Sequence, residues 1–169
     1  PTYQLGAKYP NNYIEKLDLS LRFLPRPADY LFLYFIGFYI LLLVLKVDYK
    51  LAGLGALAFG FSTYFIIILG VGHNAKAHAI AYMPLVLSGI LLTFQRKYIF
   101  GFLLTAVAMA LEITANHFQM TYYLMLLVIV LGIVYLIDAY KKKVLPHFFK
   151  SVGLLIIAVI ISIGLNATN

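Results

Sequence analysis

Residues 46–97 read KVDYKLAGLGALAFGFSTYFIIILGVGHNAKAHAIAYMPLVLSGILLTFQRK. Charge in this stretch is confined to three places: Lys46-Asp48-Lys50, His73-Lys76-His78 and Arg96-Lys97. The apolar runs between them, Leu51–Val71 and Ala79–Phe94, are long enough or nearly so to cross a bilayer, which takes roughly 20 residues. Outward from this block the pattern continues, with Glu112/His117 after Tyr98–Leu111 and a cluster from Asp138 to Lys150 after Phe118–Ile137. The clusters alternate in kind. Those at 46–50, 95–97 and 138–150 hold eight Lys/Arg, as cytoplasmic loops do. Those at 72–78 and 112–117 carry histidine, asparagine and glutamate, with Lys76 as their one lysine.

The remaining sequence agrees with a lipid-solvated chain. It is 63% hydrophobic and 11% charged, far from the balance of a soluble domain, so an all-α polytopic membrane protein is expected. The net charge of +7 follows from the lysine-rich loops of one side and is not a nucleic-acid signature. Without cysteine, the chain has no disulfides, thiolate metal sites or cysteine nucleophiles. Without tryptophan, tyrosine supplies the interfacial aromatics.

About six transmembrane helices are predicted: 28–45, 51–71, 79–94 (with Pro84 as a kink), 98–116, 118–137 and 152–165. The second carries Gly53, Gly55, Gly60 and Ser62, small residues that permit close helix packing. Before them, Ile14, Leu17, Leu21 and Leu24 form one face of a short amphipathic helix, interfacial or docked onto the rest of the protein, between turns at Pro10-Asn11-Asn12 and Pro25-Arg26-Pro27. Glu15, Lys16, Asp18 and Arg22 fall on its polar side. Residues 1–27 are thus read as the end of an extracytoplasmic loop, and 28–169 as a helix bundle. The chain opens at Pro1 and closes just past an apolar run, so it is read as a fragment of a longer membrane protein.

Chemistry is expected on the histidine-bearing side. Gly72-His73-Asn74-Ala75-Lys76-Ala77-His78 gathers two imidazoles, an amide and an ammonium at the start of a helix, where free N–H groups favour an anion such as phosphate. An ordinary hydrophilic loop with interfacial histidines is the plainer alternative. Glu112 interrupts an apolar stretch, with Asn116, His117 and Gln119 close by in sequence. An ionisable group at membrane depth is a functional candidate by default. Glu112 could accept a proton from a hydroxyl, coordinate a divalent metal ion through oxygen, or pair with Lys76 as a structural tie. His73 and His78 are five apart and no HExxH occurs, which argues against zinc. His147 is read as an interfacial loop residue, and Asn166 as lying at the outer end of the last span.

The wording of Pro1-Thr2-Tyr3-Gln4, of Gly72 through Pro84 (GHNAKAHAIAYMP) and of Glu112 through Tyr123 resembles the bacterial YfhO family of polytopic membrane proteins, in particular Bacteroidetes members. The resemblance implies a GT-C-like glycosyltransferase architecture in the bacterial cytoplasmic (inner) membrane. Such an enzyme moves a sugar from a polyprenyl-phosphate carrier to an extracytoplasmic acceptor. On that expectation Lys76, His73, His78 and Asn74 bind the carrier phosphate, and Asn116, His117, Gln119 and Tyr82 contact sugar or acceptor. The acid of the first outer loop lies upstream of Pro1, or Glu112 takes its place, since no Asp-X-Asp or Glu-X-Asp pair is present. The expected partners are the bilayer and a lipid-linked sugar, with no nucleic acid. A transporter or flippase of a lipid-linked or anionic substrate, and a non-catalytic membrane assembly subunit, stand as alternatives.

Overall fold

The computed structural model describes residues 13–167. The turn at Pro10-Asn11-Asn12 and the Pro1-Thr2-Tyr3-Gln4 segment lie outside the described residues. Eight α-helices and no strand occur among those described: α1 Tyr13–Leu21, α2 Ala28–Val44, α3 Tyr49–Gly60, α4 Thr63–Gly70, α5 Asn74–Phe94, α6 Tyr98–Thr114, α7 Phe118–Lys141 and α8 Leu145–Leu165. The helices α5, α7 and α8 are long and apolar enough to cross a membrane. The pair α3 and α4 meets that test only together and is bent by 42° at Phe61-Ser62, while α2 and α6 are shorter apolar helices.

The tight connections have a common cause. Five helices are followed by a left-handed residue, Lys46 (φ 63°), Gly72 (φ 81°), Arg96 (φ 67°), Asn116 (φ 51°) and Lys143 (φ 56°), and four of them, all but α6, close in the same way. In each of these four turns the following N–H reaches back five residues: Val47 to Leu42 O, His73 to Ile68 O, Lys97 to Leu92 O and Val144 to Ala139 O. These are Schellman endings, which satisfy orphan carbonyls within three residues and let the next helix start at once. The Asp48 carboxylate then caps α3 by accepting from Lys50 N at 2.9 Å. As a result the helix termini collect at two ends of the bundle. One holds Gly72–His78 and Glu112–His117, and the other holds the lysine-rich turns.

The centre of the bundle is α5, mostly buried and flanked by α2 and α6. Its approach to α6 relies on reciprocal glycines. A Cβ on Gly89 would lie 2.6 Å from Thr105 N, and one on Gly101 would lie 2.5 Å from Thr93 N. Small residues at such crossings bring backbones together, the main source of helix association in lipid. Gly60 and Gly55 pack against Phe35 and Leu42 of α2, whereas Gly53 faces open space. Hydroxyls on buried faces are satisfied by backbone, as Ser88 donates to Pro84 O and Thr105 to Gly101 O. On α8, the Ser162 hydroxyl lies 2.8 Å from Ala106 O and Asn166 Nδ2 donates to Ala110 O at 3.0 Å, joining that helix to α6. The outer faces of α7 and α8 expose a continuous run of Leu, Ile and Val, a surface suited to lipid rather than water.

Three expectations need correction. The second predicted span is two half-helices rather than one. The last helix begins at Leu145, not Val152, with Pro146 in its first turn, where a missing N–H costs nothing. That start places His147 on the helix, where Nε2 faces Phe94 O at 2.9 Å and Nδ1 faces the Tyr98 hydroxyl at 2.7 Å. A carbonyl only accepts, so Nε2 carries the proton and Nδ1 accepts from Tyr98. The third correction concerns α1. Its buried residues are Ile14 and Asp18, while Leu17 is exposed.

Candidate functional site

At the histidine end, α1 lies across the bundle and inserts Asp18 toward α5. Asp18 is 1% exposed. One of its carboxylate oxygens, Oδ1, accepts from His78 Nε2 at 2.5 Å and from the Tyr82 hydroxyl at 2.7 Å. The other, Oδ2, accepts from Arg22 Nε at 3.0 Å and Nη2 at 2.5 Å. The i,i+4 spacing of Asp18 and Arg22 lets one turn of helix make this two-pronged contact. Burial pushes the Asp18 carboxyl upward, but the His78, Arg22 and Tyr82 donors outweigh it and hold the group below the usual carboxylate range. The Arg22 guanidinium is likewise depressed by burial and raised on balance by Asp18. Asp29, 2% exposed in the first turn of α2, accepts from Tyr30 N and sits 3.9 Å from both Arg22 and Arg26. Both guanidinium groups also lie over the Tyr30 ring. With all of its lone-pair directions occupied, Asp18 acts as a clamp holding α1 to α5.

A groove of about 580 Å³ runs between α2, α3, α4, α5 and α7. Its walls are apolar, among them Phe38, Phe59, Met83 and Leu127, and its polar groups are Tyr64, Lys76, Gln119 and Tyr123. The Lys76 ammonium lies 5.2 Å from the centre of the Tyr64 ring, and Gln119 Nε2 donates to the Tyr123 hydroxyl at 2.9 Å. Among the described residues no carboxylate lies within ion-pair distance of Lys76. A cation at one end of an apolar trough suits an anion that carries a long hydrocarbon chain.

The structure thus divides the sequence-derived residues. Lys76 and Gln119 line the groove, while His78 and Tyr82 serve the Asp18 clamp. His73 and Asn74 are exposed at the start of α5. Glu112, 0% exposed, is bound not to Lys76 but by the Thr121 hydroxyl, at 2.9 Å and 3.2 Å from its two oxygens. Asn116 is exposed in a left-handed turn (φ 51°), off the Glu112 face that helical spacing would give it. His117 precedes α7, with its Nδ1 buried and without a hydrogen-bond partner among the described residues. Among the described residues no group of three His, Asp or Glu side chains could hold a metal ion.

Sequence reasoning missed Asp18, Arg22, Asp29 and Tyr30. The signal was present in the spacing, because Ile14, Asp18 and Leu21 make as regular a helical stripe as Ile14, Leu17 and Leu21. No family model, curated protein or solved structure matches the chain.

Proposed function

We propose that this chain is the groove-bearing part of a lipid-carrier-dependent membrane glycosyltransferase. The supporting observation is Lys76, a lysine with no carboxylate partner among the described residues, lining an otherwise largely apolar trough. In this reading the isoprenoid chain lies along α2, α5 and α7, and the phosphate of a polyprenyl-phosphate sugar meets the Lys76 ammonium. As the sugar leaves, negative charge grows on the phosphate. A fixed ammonium in a low-dielectric groove stabilises that charge more than water would. Gln119 and Tyr123 offer hydrogen bonds to the sugar or acceptor, and the Asp18 clamp fixes the helix that carries Lys76. Glu112, enclosed with Thr121, remains the candidate acid within this chain. The resemblance to YfhO-family proteins points to the same chemistry.

The topology proposed with it has six crossings, the broken α3/α4 pair counting as one. The lysine-rich turns face the cytoplasm and α1 lies on the extracytoplasmic side of a bacterial inner membrane. The test is sugar transfer by the purified protein in lipid. Lys76→Ala should lower turnover by about 10- to 100-fold, the loss of one charge-assisted contact, and Lys76→Arg should restore part of it. Full transfer by Lys76→Ala would remove the groove from the reaction.

The bend at Phe61-Ser62 favours a second reading. Discontinuous spans build substrate sites in many transporters. Flux of a lipid-linked anion in proteoliposomes, with the carrier chemically unchanged, would select that reading.

A further inference from the structure

The lysine end of the bundle presents a basic layer of unusual construction. Lys46, Lys50, Arg96, Lys97, Lys141, Lys142, Lys143 and Lys150 are all exposed there. The acids near them are Asp48, which caps α3, and Asp138, which pairs with Lys142 at 2.9 Å. Each of the three turns at this end puts a lysine or arginine in the left-handed position of its Schellman ending, at Lys46, Arg96 and Lys143. Glycine is the residue that position favours, since a side chain there crowds the following carbonyl. The turn at Gly72 of the opposite end uses it. The basic residues are therefore not what turn geometry alone selects. At a helix C-terminus they also meet the negative end of the dipole, which partly offsets the strain.

Between α7 and α8 this layer contains a depression of about 520 Å³. It is lined by Tyr140, Leu145 and Pro146 together with Lys141 and Lys143. Among the described residues neither lysine has a carboxylate within ion-pair distance. We infer that this depression binds the phosphate headgroup of an anionic membrane lipid. The phosphate lies between Lys141 and Lys143, and the glycerol and first acyl carbons lie against Leu145 and Pro146. Two observations select a lipid over a soluble anion. Leu145 and Pro146 make part of the lining apolar, and Ile137 and Phe149, exposed one helical turn from Tyr140 and Pro146, lead on to the exposed aliphatic residues of α7 and α8, along which an acyl chain can continue. Basic recesses at the membrane-facing end of a helix pair are where phosphate headgroups are held. This inference does not depend on the transferase reading, because the site is at the other end of the bundle.

Left-handed geometry gives the test a clean variant. Lys143→Gly removes the charge and relieves the turn, so it should fold at least as well as the parent chain; Lys143→Asn is the second variant. The full chain is placed in nanodiscs of phosphatidylcholine doped with phosphatidylglycerol, and tightly retained lipid is read by native mass spectrometry. The parent should keep phosphatidylglycerol over phosphatidylcholine. Lys141→Ala/Lys143→Gly should lose that preference by about tenfold without a lower Tm. Arg96→Gly/Lys97→Ala, which removes the same charge outside the depression, should leave most of it. Three results would overturn the inference: an unchanged preference in Lys141→Ala/Lys143→Gly, an equal loss in Arg96→Gly/Lys97→Ala, or displacement of the lipid by millimolar inorganic phosphate.

Discussion

Asp18→Ala tests the clamp that fixes α1 against the carrier helix of the site. The substitution leaves three buried donors without their acceptor: the imidazole of His78, the hydroxyl of Tyr82 and the guanidinium of Arg22, whose side chain is 11% exposed. Removing one partner of a buried ion pair typically costs about 3–5 kcal/mol, because the remaining charge stays desolvated. The cost is local to α1, a helix of 9 residues too short to persist alone in water. The expected result is undocking of α1 with the rest of the bundle intact. Hydrogen exchange on the protein in nanodiscs should show protection of the Tyr13–Leu21 amides falling by about two orders of magnitude or more, while α5 and α6 keep theirs. A double-mutant cycle with His78→Ala should give a coupling of about 1–3 kcal/mol, since the two residues share one contact. Asp18→Ala with unchanged α1 protection, or additive effects of the two substitutions, would refute the clamp.

Acid should act on the same contact. Asp18 ionises at lower pH in the folded chain than when free, so docking is fully stabilised above the free value of about 3.9 and is lost as pH falls through the lower folded value. An environment-sensitive dye on α1 should report that transition, and Asp18→Asn should abolish it. Gly89→Ala drives a methyl into the Thr105 backbone and should destabilise the α5/α6 pair by about 1–3 kcal/mol, read as a lower Tm in detergent. Thr121→Val leaves the Glu112 carboxyl without its donor and should cost about 1–3 kcal/mol, whereas Thr121→Ser should be nearly neutral. The chain lacks cysteine, so single cysteines report topology cleanly. Asn74→Cys should react with an impermeant maleimide on intact cells, and Lys142→Cys should react only after the membrane is opened.

Much of the fold was legible because apolar runs and charged turns set helix positions directly. The expected spans at 28–45, 98–116 and 118–137 correspond to α2, α6 and α7 to within a few residues. The break at Phe61-Ser62 was hidden because hydropathy does not register a change of direction. The early start of α8 was hidden for another reason. His147, Lys150 and Ser151 look like loop residues, yet His147 and Ser151 bond the end of α5 or the backbone of their own helix. The site was legible in its residue types more than in its pairings. Lys76 and Gln119 come together because α5 and α7 pack side by side, which no spacing along the chain encodes. His78 and Tyr82, one helical turn apart, point the same way, and their common partner is Asp18, an acid about 60 residues earlier in sequence. Long-range pairing of that kind depends on tertiary packing, which helical periodicity does not encode.

The groove is tested most directly by photo-crosslinking with a benzophenone-bearing polyprenyl phosphate in lipid, followed by peptide mapping. The account predicts adducts on α2, α5 and α7, at residues such as Phe38, Met83 and Tyr123, that fall several-fold in Lys76→Ala. Adducts confined to α8, or labelling of α5 that is indifferent to Lys76, would contradict it.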